Sequence, residues 1–215
     1  IIKKNCHVVL DLCEQRQESN YGLNSFLPLN GIANHFFVSS KIQDPQKAGY
    51  FIGKMVWEKG LRELFHLLKL AKETEFILIG QGKDKSAILD YAYKLGIKVQ
   101  FISYSENPAK DLATFRYFIN CSRSEVYCTA TAEAIAMNKF VILPRTKSNE
   151  IFYQFKNCLP YSTPDEFLYQ LSYAKNMEAV YDPNVELLRW SSSITYLKKI
   201  LDERKDDQKS LPYLH

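Results

Sequence analysis

The sequence of 215 residues has no apolar run approaching the roughly 20 residues of a membrane-spanning helix. It has five cysteines, Cys6, Cys13, Cys121, Cys128 and Cys158, but no C-x2-C pair, which argues against a zinc site. Their odd number, with no secretory signal at the start, reads as free thiols in a reducing compartment, buried as small hydrophobes. A dominant charge is also lacking. The 28 Lys and Arg against 24 Asp and Glu leave a net +4. That is too slight and too evenly spread for a nucleic-acid partner, though a basic surface still suits a nucleotide or anionic lipid. No internal repeat and no D-x-D metal pair occur. The chain does not begin with Met, so it reads as a fragment of a longer protein.

What is present is an ordinary hydrophobic content, 46%, with 13% aromatics, enough for a full core in one or two domains. The most informative stretch is Phe118 to Pro144. Phe118-Ile119 ends a strand, and a polar loop containing Arg123, Ser124 and Glu125 follows. The segment 129–137 has helix-forming composition and stops at Asn138-Lys139, a pair whose Asn tolerates the left-handed conformation. Phe140-Val141-Ile142-Leu143-Pro144 is an unbroken apolar run, as a buried parallel strand requires. A helix therefore opens just beyond a strand's carboxyl end. Its free N–H groups suit a phosphate, and open α/β sheets bind ligands at that edge. Glu125 and Glu133 bracket the helix start. Carboxylates accept hydrogen bonds and do not donate them, so the pair suits a polyol such as a ribose and a sugar.

Upstream, Asn30-Gly31 marks a turn. Strands are predicted at 7–12, 49–53, 75–80, 96–102 and 115–120, with helices between them. Lys54 and Lys59 sit at a strand-to-helix junction, where two cations meet a diphosphate or remain solvated surface lysines. His66 falls among apolar helix residues and reads as packing. Gly80-Gln81-Gly82 is only a G-x-G turn. It lacks the third glycine and the ribose-binding acid of a dinucleotide fingerprint, so no nicotinamide cofactor is expected. Further on, Ser148 is expected to cap a helix reaching Phe155, 157–161 a short strand, Pro164 to open another helix, and 187–201 a long amphipathic helix. The fold expected is α/β, a Rossmann-like parallel sheet flanked by helices.

Glu125-x7-Glu133 followed by Ala-x-Ala-Met, a helix end and an apolar strand resembles the donor site of retaining GT-B glycosyltransferases of the glycogen-synthase and sucrose-synthase group. Three longer stretches, GYFIGKMVWEKG (49–60), CTATAEAIAMNKFVI (128–142) and SNEIFYQFKNCLPY (148–161), resemble the digalactosyldiacylglycerol synthases of plants and algae. The likeness covers roughly Asn30 to Trp190. It implies that 1–30 are a remnant of an N-terminal acceptor domain and linker. By the same likeness 31–201 are the donor domain, the C-terminal half of a GT-B fold, and 202–215 are a disordered tail. It implies that Lys54 and Lys59 meet the donor's phosphates, that Gly53, Gly80 and Gly82 line the cleft, and that Thr129 and Ala130 present N–H groups. It implies further that Glu125 faces the sugar, that Glu133 takes the ribose hydroxyls, and that the loop holding Tyr104 holds the base. Tyr104 is either a ring stacked on uracil or a plain surface tyrosine. No metal, cofactor or general base is assigned. The activity implied is galactose transfer from UDP-galactose to monogalactosyldiacylglycerol, at the plastid envelope, by a peripheral enzyme. The alternatives are a related enzyme using UDP-glucose or GDP-mannose, and a non-catalytic nucleotide-binding fragment. The intact Lys54, Lys59, Glu125 and Glu133 set argues against the last.

Overall fold

The structure, a computed structural model, describes residues 9–10, 25–26, 30–37, 46–73, 75–103 and 107–198. Strands β1 (Val9–Leu10) and β2 (Ser25–Phe26) form a small parallel pair. The main sheet comprises β3 (Gln46–Ile52), β4 (Glu75–Ile79), β5 (Lys98–Ile102), β6 (Phe115–Ile119), β7 (Phe140–Pro144) and β8 (Cys158–Tyr161). All its pairings are parallel. The crossovers carry helices α1 (Leu61–Leu70), α2 (Lys85–Lys94), α3 (Pro108–Ala113) and α4 (Thr129–Ala136), and α5 (Pro164–Asn176) follows β8. This is the α/β architecture that the alternation of strand and helix patterns predicts.

Both faces of the sheet are covered, which explains the continuous apolar strands. Side chains alternate along each strand. Phe51, Leu78, Ile119 and Ile142 enter a core with Leu64, Phe65 and Leu68 of α1, Ile88 of α2 and Leu171 of α5. Their neighbours Tyr50, Ile77, Phe118 and Val141 enter a second core with Leu112 of α3 and Ala132 and Ile135 of α4. Each fully buried Leu or Phe of these layers contributes about 1.5–3 kcal/mol relative to exposure. A small residue at 132, 134 and 136 lets α4 approach the sheet closely, and all three alanines are buried.

Strand order fixes where a ligand site is possible. The sheet runs β5-β4-β3-β6-β7-β8. The chain moves outward from β3 to β5, then returns to place β6 on the other side of β3. The loops leaving β3 and β6 therefore diverge to opposite faces and leave a crevice between them, at the carboxyl edge.

Three expectations change. The segment after β7 is a 3-10 helix over Lys147–Phe152, not a capped α-helix, and the residue before it is Thr146. The Ser148 hydroxyl pairs with that of Thr146 at 3.1 Å instead of capping. Pro183–Leu188 is likewise a 3-10 turn, started by Pro183 with the Asp182 carboxylate accepting from the Asn184 N–H at 3.0 Å. The final helix begins only at 190, so Leu187 and Leu188 precede it. His66 lies on the exposed side of α1, where it pairs with the Tyr91 hydroxyl at 2.6 Å. Its neighbours Leu64, Phe65, Leu67 and Leu68 supply the apolar face without it. Asn138 does adopt the left-handed conformation, φ 56°. The segment 202–215 lies outside the described residues, as do Cys6 and Cys13. Of the remaining cysteines, all free, Cys121 and Cys158 are buried and Cys128 is half-buried.

Candidate functional site

The loop leaving β3 is shaped by its neighbours' backbones. Gly53 N–H donates to the Ile79 carbonyl at 3.0 Å, and Met55 N–H to the Gln81 carbonyl at 2.9 Å. The Asp84 N–H returns a bond to the Met55 carbonyl at 3.1 Å, and the Asp84 carboxylate accepts from Trp57 N–H at 3.2 Å. This close seating needs the Gly80-Gln81-Gly82 turn. A side chain at Gly80, whose φ is +136°, would sit 2.0 Å from the Gly53 carbonyl oxygen, and one at Gly82 would sit 2.3 Å from that of Met55. The two glycines thus brace the wall of the crevice from behind.

A 3-10 turn over Trp57–Lys59 then ends at Gly60, in the left-handed region at φ 79°. A Cβ at Gly60 would fall 2.0 Å from the Cys121 carbonyl oxygen. The Cys121 thiol donates to the Lys59 carbonyl at 3.0 Å. These contacts clamp the β3 loop to the β6 loop. They bring Lys59 Nζ within 2.6 Å of Glu125 Oε1, a half-buried ion pair across 66 positions of sequence.

The β6 loop is held by Asn120, buried at the strand's carboxyl end. Its Oδ1 accepts from Ser122 N–H at 3.0 Å, and its Nδ2 donates to the Thr131 hydroxyl at 3.2 Å. That second bond ties the loop to the first turn of α4. No side chain caps α4; Cys128 occupies the cap position without a cap bond. The N–H groups of the first turn therefore stay available beside Thr129 and Ala130.

A cavity of about 330 Å³ lies where these loops meet. Gly53, Lys54, Lys59, Glu125, Thr129 and Ala130 line it, together with Phe51, Ile52, Phe118, Asn120, Tyr127 and Cys128. Six of the residues singled out from sequence thus converge from two loops. Gly80, Gly82 and Glu133 are not among the lining residues. Tyr104 lies outside the described residues. Glu133 sits one turn into α4, half-buried, and burial pushes its carboxyl up to about 7. Lys54 is exposed and makes no ion pair among the described residues. Asn120, Tyr127 and Phe118 had not been singled out. Asn120 carried a usable signal as the first polar residue beyond an apolar strand. Tyr127 carried none, because its place depends on its ring packing 5.4 Å from that of Phe152 and its hydroxyl donating to the Asn30 carbonyl at 3.4 Å.

Chemically, two ammonium groups and a helix N-terminus on one cavity favour a multiply charged anion. The Glu125 carboxylate beside them is able to accept hydrogen bonds from hydroxyl groups. Among the described residues no group of three or more His, Cys, Asp or Glu is placed to hold a metal ion.

Residues 33–151, which span this crevice, match the family Glycosyl transferases group 1. The chain belongs to that family. Among relatives of this glycosyltransferase chain, digalactosyldiacylglycerol synthase 1, chloroplastic, of Lotus japonicus is 35% identical over 76% of the chain and 22% of its own length. Digalactosyldiacylglycerol synthase 2, chloroplastic, of the same plant is 31% identical over 96% of the chain and 47% of its own length. The chain thus spans less than half of either relative. In fold it superposes on a mutant of S. aureus TarM solved in complex with Fondaparinux, alpha-GlcNAc-glycerol and UDP. The TM-score is 0.77, at 17% identity, over 94% of this chain and 45% of that one.

Proposed function

We propose that this chain is the donor-binding half of a retaining galactosyltransferase that moves galactose from UDP-galactose to monogalactosyldiacylglycerol. The observation that carries the proposal is the convergence of Lys54, Lys59, Glu125 and the α4 N-terminus on one cavity at the switch point of the sheet. The acceptor and the sugar come from the relatives, which are digalactosyldiacylglycerol synthases. The base-binding role assigned to the Tyr104 loop is part of the same proposal.

The leaving group of such a reaction is a nucleoside diphosphate, so the barrier depends on stabilising the negative charge that develops on it. Lys54, Lys59 and the α4 N–H groups supply that stabilisation, placed before the reaction begins. They do so without a divalent ion. Lys59 shares its charge between Glu125 and the phosphates, and Glu125 is thereby held where the sugar's hydroxyls arrive. Gly80 and Gly82 act through the loop they brace. Glu133 receives the ribose hydroxyls from one turn deeper in α4. Neither acid serves as a general base. Retention follows when the acceptor attacks the face the diphosphate is leaving, and the diphosphate oxygen takes the acceptor's proton. The acceptor site belongs to the rest of the full protein. The relatives are chloroplastic, and no helix among the described residues is long and apolar enough to cross a membrane. We place the enzyme peripherally on the plastid envelope.

Calorimetric titration with UDP, UDP-galactose, UDP-glucose and GDP-mannose tests the donor assignment. UDP is expected to bind, UDP-galactose to bind more tightly than UDP-glucose, and GDP-mannose to fail. Binding of GDP-mannose in preference to UDP-galactose overturns it. EDTA is expected to leave the affinities unchanged.

A further inference from the structure

Two ion pairs cross between the same two segments, and one of them lies outside the cavity. Lys59 pairs with Glu125 at 2.6 Å, and both line the cavity. Four residues after Lys59 and two before Glu125, a second pair runs with the charges reversed. Arg123 Nε donates to Glu63 Oε2 at 2.8 Å, and Arg123 Nη2 donates to the other oxygen of the same carboxylate. This fork geometry fixes direction as well as distance. Partners nearer in sequence were at hand, Lys59 for Glu63 and Glu125 for Arg123. Each acid instead takes the base of the opposite segment.

The two segments differ in stiffness. Glu63 lies in the first turn of α1, where the helix dipole favours a carboxylate. Lys59 lies just before that helix, and Gly60 joins the two, its carbonyl accepting from Leu64 N–H at 3.1 Å. The opposite segment has no such frame. Asn120 and Cys121 hold its root, but from Ser122 to Val126 no backbone-to-backbone hydrogen bond is made among the described residues. The Ser122 hydroxyl bonds within the loop, to the Ser124 carbonyl at 3.2 Å. Among the described residues, the side chains of this stretch that bond outside it are Arg123 and Glu125.

Arg123 is exposed, and neither it nor Glu63 lines the cavity. An exposed pair adds little to stability, so stability alone does not account for the two-bond geometry. The donor site does. Lys59 divides its charge between Glu125 and an incoming diphosphate, so its grip on Glu125 slackens when the ligand arrives. A crossing outside the cavity is untouched by the ligand. We propose that Arg123, through Glu63, is a positioning residue of the donor site: the pair keeps the loop in place, and Glu125 aimed at the donor's sugar, while Lys59 is drawn to the phosphates. The inference rests on the assignment of Lys59 and Glu125 to the donor.

Arg123→Ala and Glu63→Gln test this from the two ends of the pair. Calorimetry compares UDP with UDP-galactose, and hydrogen exchange follows the amides of 122–126. Each variant is expected to melt within a few degrees of the unaltered protein. Each is expected to speed exchange of the loop about 3-fold or more. Affinity for UDP, which lacks the sugar, should stay within about 2-fold, because Lys54 and Lys59 remain. Affinity for UDP-galactose should fall roughly 3- to 10-fold, as hydrogen bonds at Glu125 weaken. The double variant should be no worse than either single one, because both remove the same contact. Arg123→Lys, which keeps the charge but not the fork, should fall between. Equal losses of UDP and UDP-galactose, or no loss of either, overturn the positioning role. So does a loss with Arg123→Ala that Glu63→Gln does not share, since Arg123 then meets the ligand itself. Unchanged exchange overturns the hold on the loop, and that arm needs no ligand. If the unaltered protein binds neither UDP nor UDP-galactose, the donor assignment fails, and the role toward the sugar fails with it. Exchange then still decides whether the pair fastens the loop.

Discussion

The two ends of the central strands each hold a lysine at a strand–helix junction, and the two lysines do different work. Lys139 lies just before β7, at the end away from the cavity. It is buried, and its ammonium donates to the carbonyls of Ala113 and Phe115, where α3 ends and β6 begins. Burial lowers it to about 8. Lys59, at the cavity end, is partly exposed and bonds one carboxylate, which leaves donors free. One lysine satisfies protein backbone and has little capacity left. The other sits beside space with capacity to spare. Sequence composition does not separate them; both are single lysines next to hydrophobic runs.

Four substitutions test the contrast. Gly60→Ala is expected to break the most. It forces a left-handed conformation on a side chain that collides with the Cys121 carbonyl, and costs roughly 2–4 kcal/mol by strain and displacement. Urea unfolding should show that loss, and UDP binding should fall with it because Lys59 moves. Lys59→Ala is expected to leave the melting temperature nearly unchanged, since a partly exposed ion pair is worth about 0–1 kcal/mol. UDP affinity should fall roughly 10-fold or more, as calorimetry would read. Lys139→Ala should do the reverse. It strips two carbonyls of their donor and costs about 1–3 kcal/mol in unfolding, while the folded protein keeps its affinity for UDP. If both lysine variants lose only stability, the contrast between the two ends is wrong.

Glu133→Gln gives the smallest effect and depends on pH. The Glu133 carboxyl is raised in the folded protein, so folding disfavours its ionised form. The penalty is absent below the unfolded value of about 4.5, grows as pH rises, and is complete above about 7. Glutamine removes it. The variant should therefore melt a few degrees higher than the unaltered protein at pH 8, with the difference fading toward pH 4.5. Thermal melts across that range would show it. On the proposed role of Glu133 at the ribose, the same substitution should also cost UDP affinity.

Much of the scaffold was legible in the residues. Buried strands such as 140–144 announce themselves by unbroken apolar runs, and α4 by alanines beside a glutamate. The 3-10 segments were not legible. Ser148 has the chemistry of a cap, yet Thr146 and Tyr153 already occupy the local hydrogen bonds, Thr146 N–H donating to the Tyr153 hydroxyl at 2.9 Å. At the site, charge type and spacing pointed to Lys54, Lys59 and Glu125. They did not separate a lining residue from a brace, as Gly80 and Gly82 show.

By itself, then, the sequence determined the alternation of strand and helix, the family, and the residue types that suit a nucleotide sugar. These are local properties, written in periods of two and 3.6 and in short motifs. Only the tertiary structure decided that Lys59 meets Glu125 and that Asn120 anchors α4. Each of those depends on β6 returning to the far side of β3 after two intervening strands. Packing across the sheet makes that choice, and no local pattern encodes it.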